Sequence, residues 1–123
     1  MRNFQVSSVA RRTFFGITYD SKGEGLRALV LIGKVKKREI KDLKRQVRFI
    51  LIPGFTYGGK KIRETAFTID FQYFDIKLNS IVYEESKART RSGKVLCSRD
   101  YPIRKKLFLH KNPDKIFIET YSS

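Results

Sequence analysis

Hydrophobic and polar positions along the chain change period several times, and each change marks an element. Thr13 to Thr18, with Phe14, Phe15, Gly16 and Ile17, reads as a short strand or hairpin leading into Asp20-Ser21. Ser21 is suited to cap a helix. Beyond it Leu26, Leu29, Val30 and Ile32 fall at helical spacing and predict a helix over about Lys22 to Lys36. Gly23, Gly25 and Gly33 each weaken that helix by on the order of 1 kcal/mol relative to alanine, so tertiary packing has to supply the difference. Ile40 and Leu43 suggest a short turn, and the β-branched and aromatic run Val47 to Ile52, closed by Pro53-Gly54, predicts a strand.

Gly58-Gly59-Lys60-Lys61 is a hairpin signal, and Thr65 to Phe74 beyond it is rich in strand formers, which predicts antiparallel pairing with the strand before. A turn at Asp75 to Ser80 leads to a third strand, Ile81 to Lys87, so Asp70 and Glu85 to Lys87 fall on neighbouring strands. Arg89 to Asp100 combines glycine and serine with basic residues, and most of it reads as a mobile basic loop. Tyr101-Pro102 opens a second helix with Ile103, Leu107 and His110 on one face, and Asn112-Pro113 stops it. Lys115 to Thr120, alternating around Ile116 and Ile118, is a last strand. The order α, β, β, β, α, β predicts an α/β fold for residues 1–123: one domain built on a mixed sheet of about four to five strands flanked by helices.

Charge narrows the function. Lys and Arg number 27 against 12 Asp and Glu, a formal net charge of +15. Solubility needs far less than this, and counterion release rewards each phosphate neutralised, so the partner expected first is nucleic acid and only second an anionic membrane. The basic residues alternate with apolar ones along the whole chain, which describes a folded domain with a basic exterior and not a disordered tail. Cys97 is the one cysteine, which excludes an intramolecular disulfide and a cysteine-based zinc site and fits a reducing cytoplasm. No apolar stretch approaches the length of a membrane span, and no signal region opens the chain, so secretion is not expected.

Two residues apart on a strand, Glu85 and Lys87 share one face while Glu84 and Ser86 turn to the other. If Asp70 faces the same way, two carboxylates and the backbone carbonyl of Ser86 can hold a hard, oxygen-seeking cation such as Mg²⁺, with Mn²⁺ as a substitute. Hydrolysis of a phosphodiester needs a nucleophile formed near neutral pH and relief of charge on the non-bridging oxygens. Metal and Lys87 together provide both, and Glu24 in the first helix is an accessory acid. An acid two residues before a lysine is by itself a weak signal in a chain where 32% of residues are charged.

A longer run of residues sharpens it. Tyr19-Asp20-Ser21-Lys22, Glu24, Glu39-Ile40-Lys41-Asp42-Leu43, Gln46, Phe49, Pro53-Gly54-Phe55, Gly59-Lys60-Lys61-Ile62-Arg63, Ile69-Asp70-Phe71, Glu84-Glu85-Ser86-Lys87, Thr90 and Arg104-Lys105-Lys106-Leu107-Phe108 resemble a phage-encoded family of small proteins in the PD-(D/E)xK nuclease superfamily. The resemblance spans roughly Thr13 to Glu119, and the layout is also similar to phage Holliday-junction resolvases of the endonuclease I type. It implies a restriction-endonuclease-like core and a Mg²⁺-dependent DNA endonuclease, with Asp70 and Glu85 as metal ligands, Lys87 as the catalytic lysine and Glu24 as the helix acid. It further implies branched or structured DNA as substrate and a homodimer if two strands are cut symmetrically. Ala88 stands where that superfamily usually carries glycine.

Each residue also has a plainer explanation. Asp70 in an apolar strand is explained by a structural salt bridge, Lys87 by an ordinary surface position, and Glu24 by the helix dipole. Gln46 matches the family pattern as a contact to the scissile phosphate or its water, with capping as the alternative. Arg89, Arg91, Lys94 and Arg99, with Lys60, Lys61 and Arg63, are the expected DNA contacts, against a merely solvated basic surface. The rival function is a non-catalytic nucleic-acid-binding protein that keeps the nuclease scaffold.

Overall fold

The structure, a computed structural model, describes residues 10–14, 16–19, 21–89, 95–96 and 98–122. A 3₁₀ turn (Ala10–Arg12) leads into a minimal hairpin of β1 (Thr13–Phe14) and β2 (Ile17–Thr18). The first helix, α1, runs Lys22–Lys36, with the Ser21 hydroxyl accepting the Glu24 backbone N–H at 3.1 Å. Gly25 has a packing reason within it: the Phe14 ring lies against the helix there, where a Cβ would overlap it.

One five-stranded mixed sheet organises the rest. β3 (Ile40–Ile52) pairs antiparallel with β6 (Thr65–Asp75), and β6 with β7 (Ser80–Arg89). A small hairpin, β4 (Phe55–Tyr57) and β5 (Lys60–Ile62), extends from the β3–β6 connection, turning at Gly58 and Gly59, both at positive φ. The chain then crosses through α2 (Tyr101–Lys111) and returns as β9 (Ile116–Ser122), parallel to β7. The two helices and the strands β3, β6, β7 and β9 follow the expected αβββαβ order, with the β4–β5 hairpin and a short further strand added to it, and α1 begins and ends at the expected residues.

Two cores sandwich the sheet. On one face α1 places Ala28 and Leu31 against Phe71, Tyr73 and Val82. On the other, α2 sets Tyr101 and Phe108 among Phe67, Ile69 and Tyr83. Phe108 is the hub of that second core, with Phe49, Phe67, Tyr83 and Phe117 all within 5.1–5.9 Å of its ring centroid. Along β6, Phe67 and Ile69 belong to the second core but Phe71 and Tyr73, at the same alternation, belong to the first. The changeover falls at Asp70, across from Gln46, where the register steps from Arg45–Phe71 to Val47–Ile69. Gln46 has φ of 55°, a left-handed conformation that costs a non-glycine residue about 1 kcal/mol.

Three expectations need correction. The turn at Ile40 and Leu43 is the start of β3, whose first half is exposed and charged and carries a bulge between Lys41 and Lys44, so it lacks the apolar alternation that marks a strand. The buried positions of α2 are Tyr101 and Phe108; Ile103 and His110 point to solvent, because the sheet offers α2 an aromatic surface that the two rings fill. The segment from Arg89 to Asp100, read as mostly loop, holds one unexpected strand, since Val95–Leu96 forms β8 and pairs with β7 at Ala88 and Arg89. Residues 90–94 and 97, which include the expected contacts Arg91 and Lys94 and the lone Cys97, lie outside the described residues, as does any side-chain placement for Arg89. Among the described residues no helix is long and apolar enough to cross a membrane.

Candidate active site

The site lies where two strands part. The β6–β7 ladder runs from Asp75–Ser80 to Phe71–Glu84 and ends there, although each strand keeps the neighbour on its other edge. β6 stays with β3, while β7 continues along β9. Ala88 pairs with Leu96 of β8 and with Ser122 of β9, so β8 takes up the edge of β7 that β6 leaves. At the fork the two acids cross over. The Asp70 N–H donates to Glu85 Oε1 at 2.8 Å, and the Ser86 N–H donates to Asp70 Oδ2 at 2.8 Å. Backbone donors that the ladder no longer satisfies are thus met by the carboxylate of the opposite strand.

Lys87 closes the group, its Nζ 3.3 Å from Glu85 Oε2. The same ammonium sits 3.2 Å above the centre of the Tyr101 ring, the first residue of α2, so helix and strand fix it from two sides. Tyr101 in turn donates its hydroxyl to Glu119 on β9, which also takes Lys105 at 3.1 Å and the Tyr121 hydroxyl at 3.1 Å. Burial, followed by the hydrogen bond to Glu119, drives the Tyr101 phenol well above its ordinary range. Glu119 loses something to desolvation, but the three donors outweigh it and hold its carboxyl below the usual range.

Glu84 and Glu85 are buried back to back and differ in everything else. Glu84, fully enclosed on the α1 face, receives Arg27 Nε at 2.5 Å and Nη2 at 3.0 Å, the Tyr73 hydroxyl at 2.8 Å and the Thr120 hydroxyl at 3.0 Å. Its hydrogen bond raises the Arg27 pKa, and burial together with Glu84 raises that of Tyr73. Nothing is left for a ligand. Glu85, on the other face, is pushed up to about 7: burial contributes most and the Asp70 charge next, against a smaller pull from Lys87 and the Asp70 N–H. Two acids thus meet at the fork, Asp70 and Glu85, against the single ammonium of Lys87.

That shift has a consequence for stability in chelator. Glu85 ionises near 4.5 in the unfolded chain and near 7 in the fold, so between those values the folded state holds the extra proton. Its contribution is full below about 4.5 and is lost as pH rises through 7. Urea midpoints measured in chelator should fall across that window, and Glu85→Gln should flatten the slope; an unchanged slope would count against the burial of a charge-sensitive Glu85.

Glu24 reaches toward the site from α1. The helix dipole alone would leave this first-turn acid in solvent, but its side chain is buried and accepts Gln46 Nε2 at 2.9 Å, with Arg45 Nη2 at 3.8 Å. Gln46 is thus committed to Glu24 and stands across from Asp70 in the ladder. The fork brings together Asp70, Glu85, Ser86 and Lys87, while Glu24 is held by Gln46 on β3, between the ladder pairs Arg45–Phe71 and Val47–Ile69. Among the described residues no three Asp, Glu, His or Cys side chains form a ready-made metal cluster. Lys60, Lys61 and Arg63 are exposed on or beside the β4–β5 hairpin, and Arg99 is exposed just before α2. Sequence reasoning missed Arg27, Tyr101 and Glu119. For Arg27 a signal exists, since it recurs one turn after Glu24 on an otherwise apolar helix.

A family model described as a protein of unknown function, DUF1064, matches residues 8–121. The chain belongs to the DUF1064 family. No curated protein and no solved structure matches it. The match extends from before β1 to within β9, so the fork, both helices and the β4–β5 hairpin all fall inside the family's span.

Proposed function

We propose that this protein is a Mg²⁺-dependent DNA endonuclease with a restriction-endonuclease-like core, acting on branched or otherwise structured DNA. The observation that carries the reading is the crossed pair of the half-buried Asp70 and the buried Glu85 at the strand fork, with Lys87 beside it, in a chain of net charge +15. A buried carboxylate with a second acid beside it is costly to ionise unless a cation relieves it, and a net basic protein has many cheaper ways to place an acid. Mg²⁺ commonly takes one or two protein carboxylates and completes its shell with water and substrate phosphate, so two acids suffice and a three-acid cluster is not required. Asp70, Glu85 and the Ser86 carbonyl would hold the ion.

When bound, the ion supplies positive charge against the scissile phosphate and lowers the pKa of water. The chain's own residues do the rest. Lys87, steadied by the Tyr101 ring, contacts the phosphate and orients the attacking water. Glu24 and Gln46 form a polar wall beside Asp70 that orders water on that side. The exposed Lys60, Lys61, Arg63 and Arg99 hold the DNA backbone, together with the sequence neighbours Arg89, Arg91 and Lys94. Symmetric cutting of a four-way junction would require two copies of the chain.

Incubation of a supercoiled plasmid and of a synthetic four-way junction with Mg²⁺ should give cleavage that chelator abolishes. Mg²⁺ without DNA should also raise the melting temperature, by the equivalent of about 2.7 kcal/mol at a hundredfold excess over its dissociation constant. DNA that is bound tightly but never cut, with no thermal response to Mg²⁺ or Mn²⁺, would favour a non-catalytic DNA-binding protein instead.

A further inference from the structure

The β4–β5 hairpin displays aromatic rings that the fold does not cover. All six of its strand residues are exposed, Tyr57 at 77%, Phe55 at 50% and Ile62 at 40%. The register pairs Phe55 with Ile62 and Tyr57 with Lys60, so these side chains share one face, while Thr56 and Lys61 pair on the other. Two-stranded hairpins are marginal in water and usually need an apolar face packed against something. This one keeps its apolar face outward, and Lys60, Lys61 and Arg63 border it.

We propose that the hairpin is a stacking platform for unpaired bases of DNA, with Tyr57 and Phe55 taking the base faces and Lys60, Lys61 and Arg63 the adjoining phosphates. Charge complementarity selects this occupant. Rings with Lys60 on their own face, and Lys61 and Arg63 at the hairpin's other face and base, match the alternation of base and phosphate in a single strand that wraps the hairpin, and base–aromatic stacking tolerates any sequence. A second copy of the chain would bring its own net charge of +15 and the same three cations to the contact, which opposes self-association through this face. The proposal rests on the DNA reading and deepens it: a platform for unpaired bases confers preference for forks and junctions over continuous duplex. Thr65, where β6 leaves the hairpin, is five residues from Asp70, a span of about 17 Å along a strand, so DNA can reach both.

The chain contains no tryptophan, so Tyr57→Trp places a single indole reporter at the hairpin tip. In chelator, where no hydrolysis intervenes, its fluorescence should be quenched by single-stranded and forked DNA and left nearly unchanged by a blunt duplex of equal length. Tyr57→Leu, which keeps apolar bulk without a ring, should weaken binding to the fork about tenfold relative to wild type and binding to the duplex by little. Equal quenching by duplex and single strand, or fork binding unaffected by Tyr57→Leu, overturns the platform and leaves the nuclease reading standing. Emission that changes with protein concentration alone assigns the face to a second copy and overturns it too. Failure to bind any DNA would remove both this proposal and the function beneath it.

Discussion

Asp70→Asn and Lys87→Ala should each abolish DNA cleavage while leaving DNA binding in chelator within a few-fold of wild type. Asp70 accepts the Ser86 N–H through Oδ2, and asparagine keeps an oxygen able to do the same, so the strand fork survives and the charge is what is lost. Lys87→Ala removes the ammonium between Glu85 and the Tyr101 ring. Loss of one group that stabilises charge in a transition state typically costs about 10²–10³ in rate, and loss of a metal-holding acid should cost at least that much. Initial rates on the four-way junction, with circular dichroism to show that each variant is folded, provide the measurement. Cutting that persists in both variants would rule out the fork as the catalytic centre.

Glu84→Ala should be among the most destabilising substitutions in the chain. It removes a fully buried carboxylate that satisfies Arg27, Tyr73 and Thr120 at once, and leaves the guanidinium without its anion inside the α1 face. Breaking a buried ion pair on one side costs about 3–5 kcal/mol, which for a chain of 123 residues corresponds to roughly 10–20 °C in melting temperature. The double variant Arg27→Met, Glu84→Leu should recover much of the loss, because an apolar pair leaves no stranded charge. Thermal melts of the single and double variants decide it; a Glu84→Ala protein that melts near wild type would mean the four-way network contributes little.

Much of this was legible in the sequence, for reasons particular to each element. The extent of the helix from Lys22 to Lys36 is announced by Ser21, but not its inner face, since Ala28 and Leu31 are buried while Leu26 and Val30 of the expected apolar spacing stay exposed; Glu85 separates from Glu84 by simple strand alternation relative to Lys87. The first half of β3 did not announce itself, because Ile40 and Leu43 meet the core three apart, with the charged residues between and after them facing solvent, on a strand bent at Asp42 and Gln46, both at positive φ. The inner face of α2 was hidden for the opposite reason. Any of several apolar faces would have served, and only the ring of Phe49, Phe67, Tyr83 and Phe117 decides that Phe108 is the residue enclosed. Tyr101 under Lys87 and Glu119 behind it depend on the crossover that lays β9 along β7, a long-range fact that no local window contains.

The adjacency of Glu84 and Glu85 makes β7 intolerant of length variation. Neighbours on a strand see opposite sides of the sheet, so a single residue inserted or deleted inside the strand ahead of Glu84 would trade their surroundings, turning Glu85 and Lys87 together toward Arg27 and the anchoring carboxylate toward the α2 side. The fork and the Arg27 anchor would be lost in the same event. Natural drift in this protein is accordingly expected to accumulate insertions before Ser80 or after Arg89, at the rims of that strand, and to spare the stretch between.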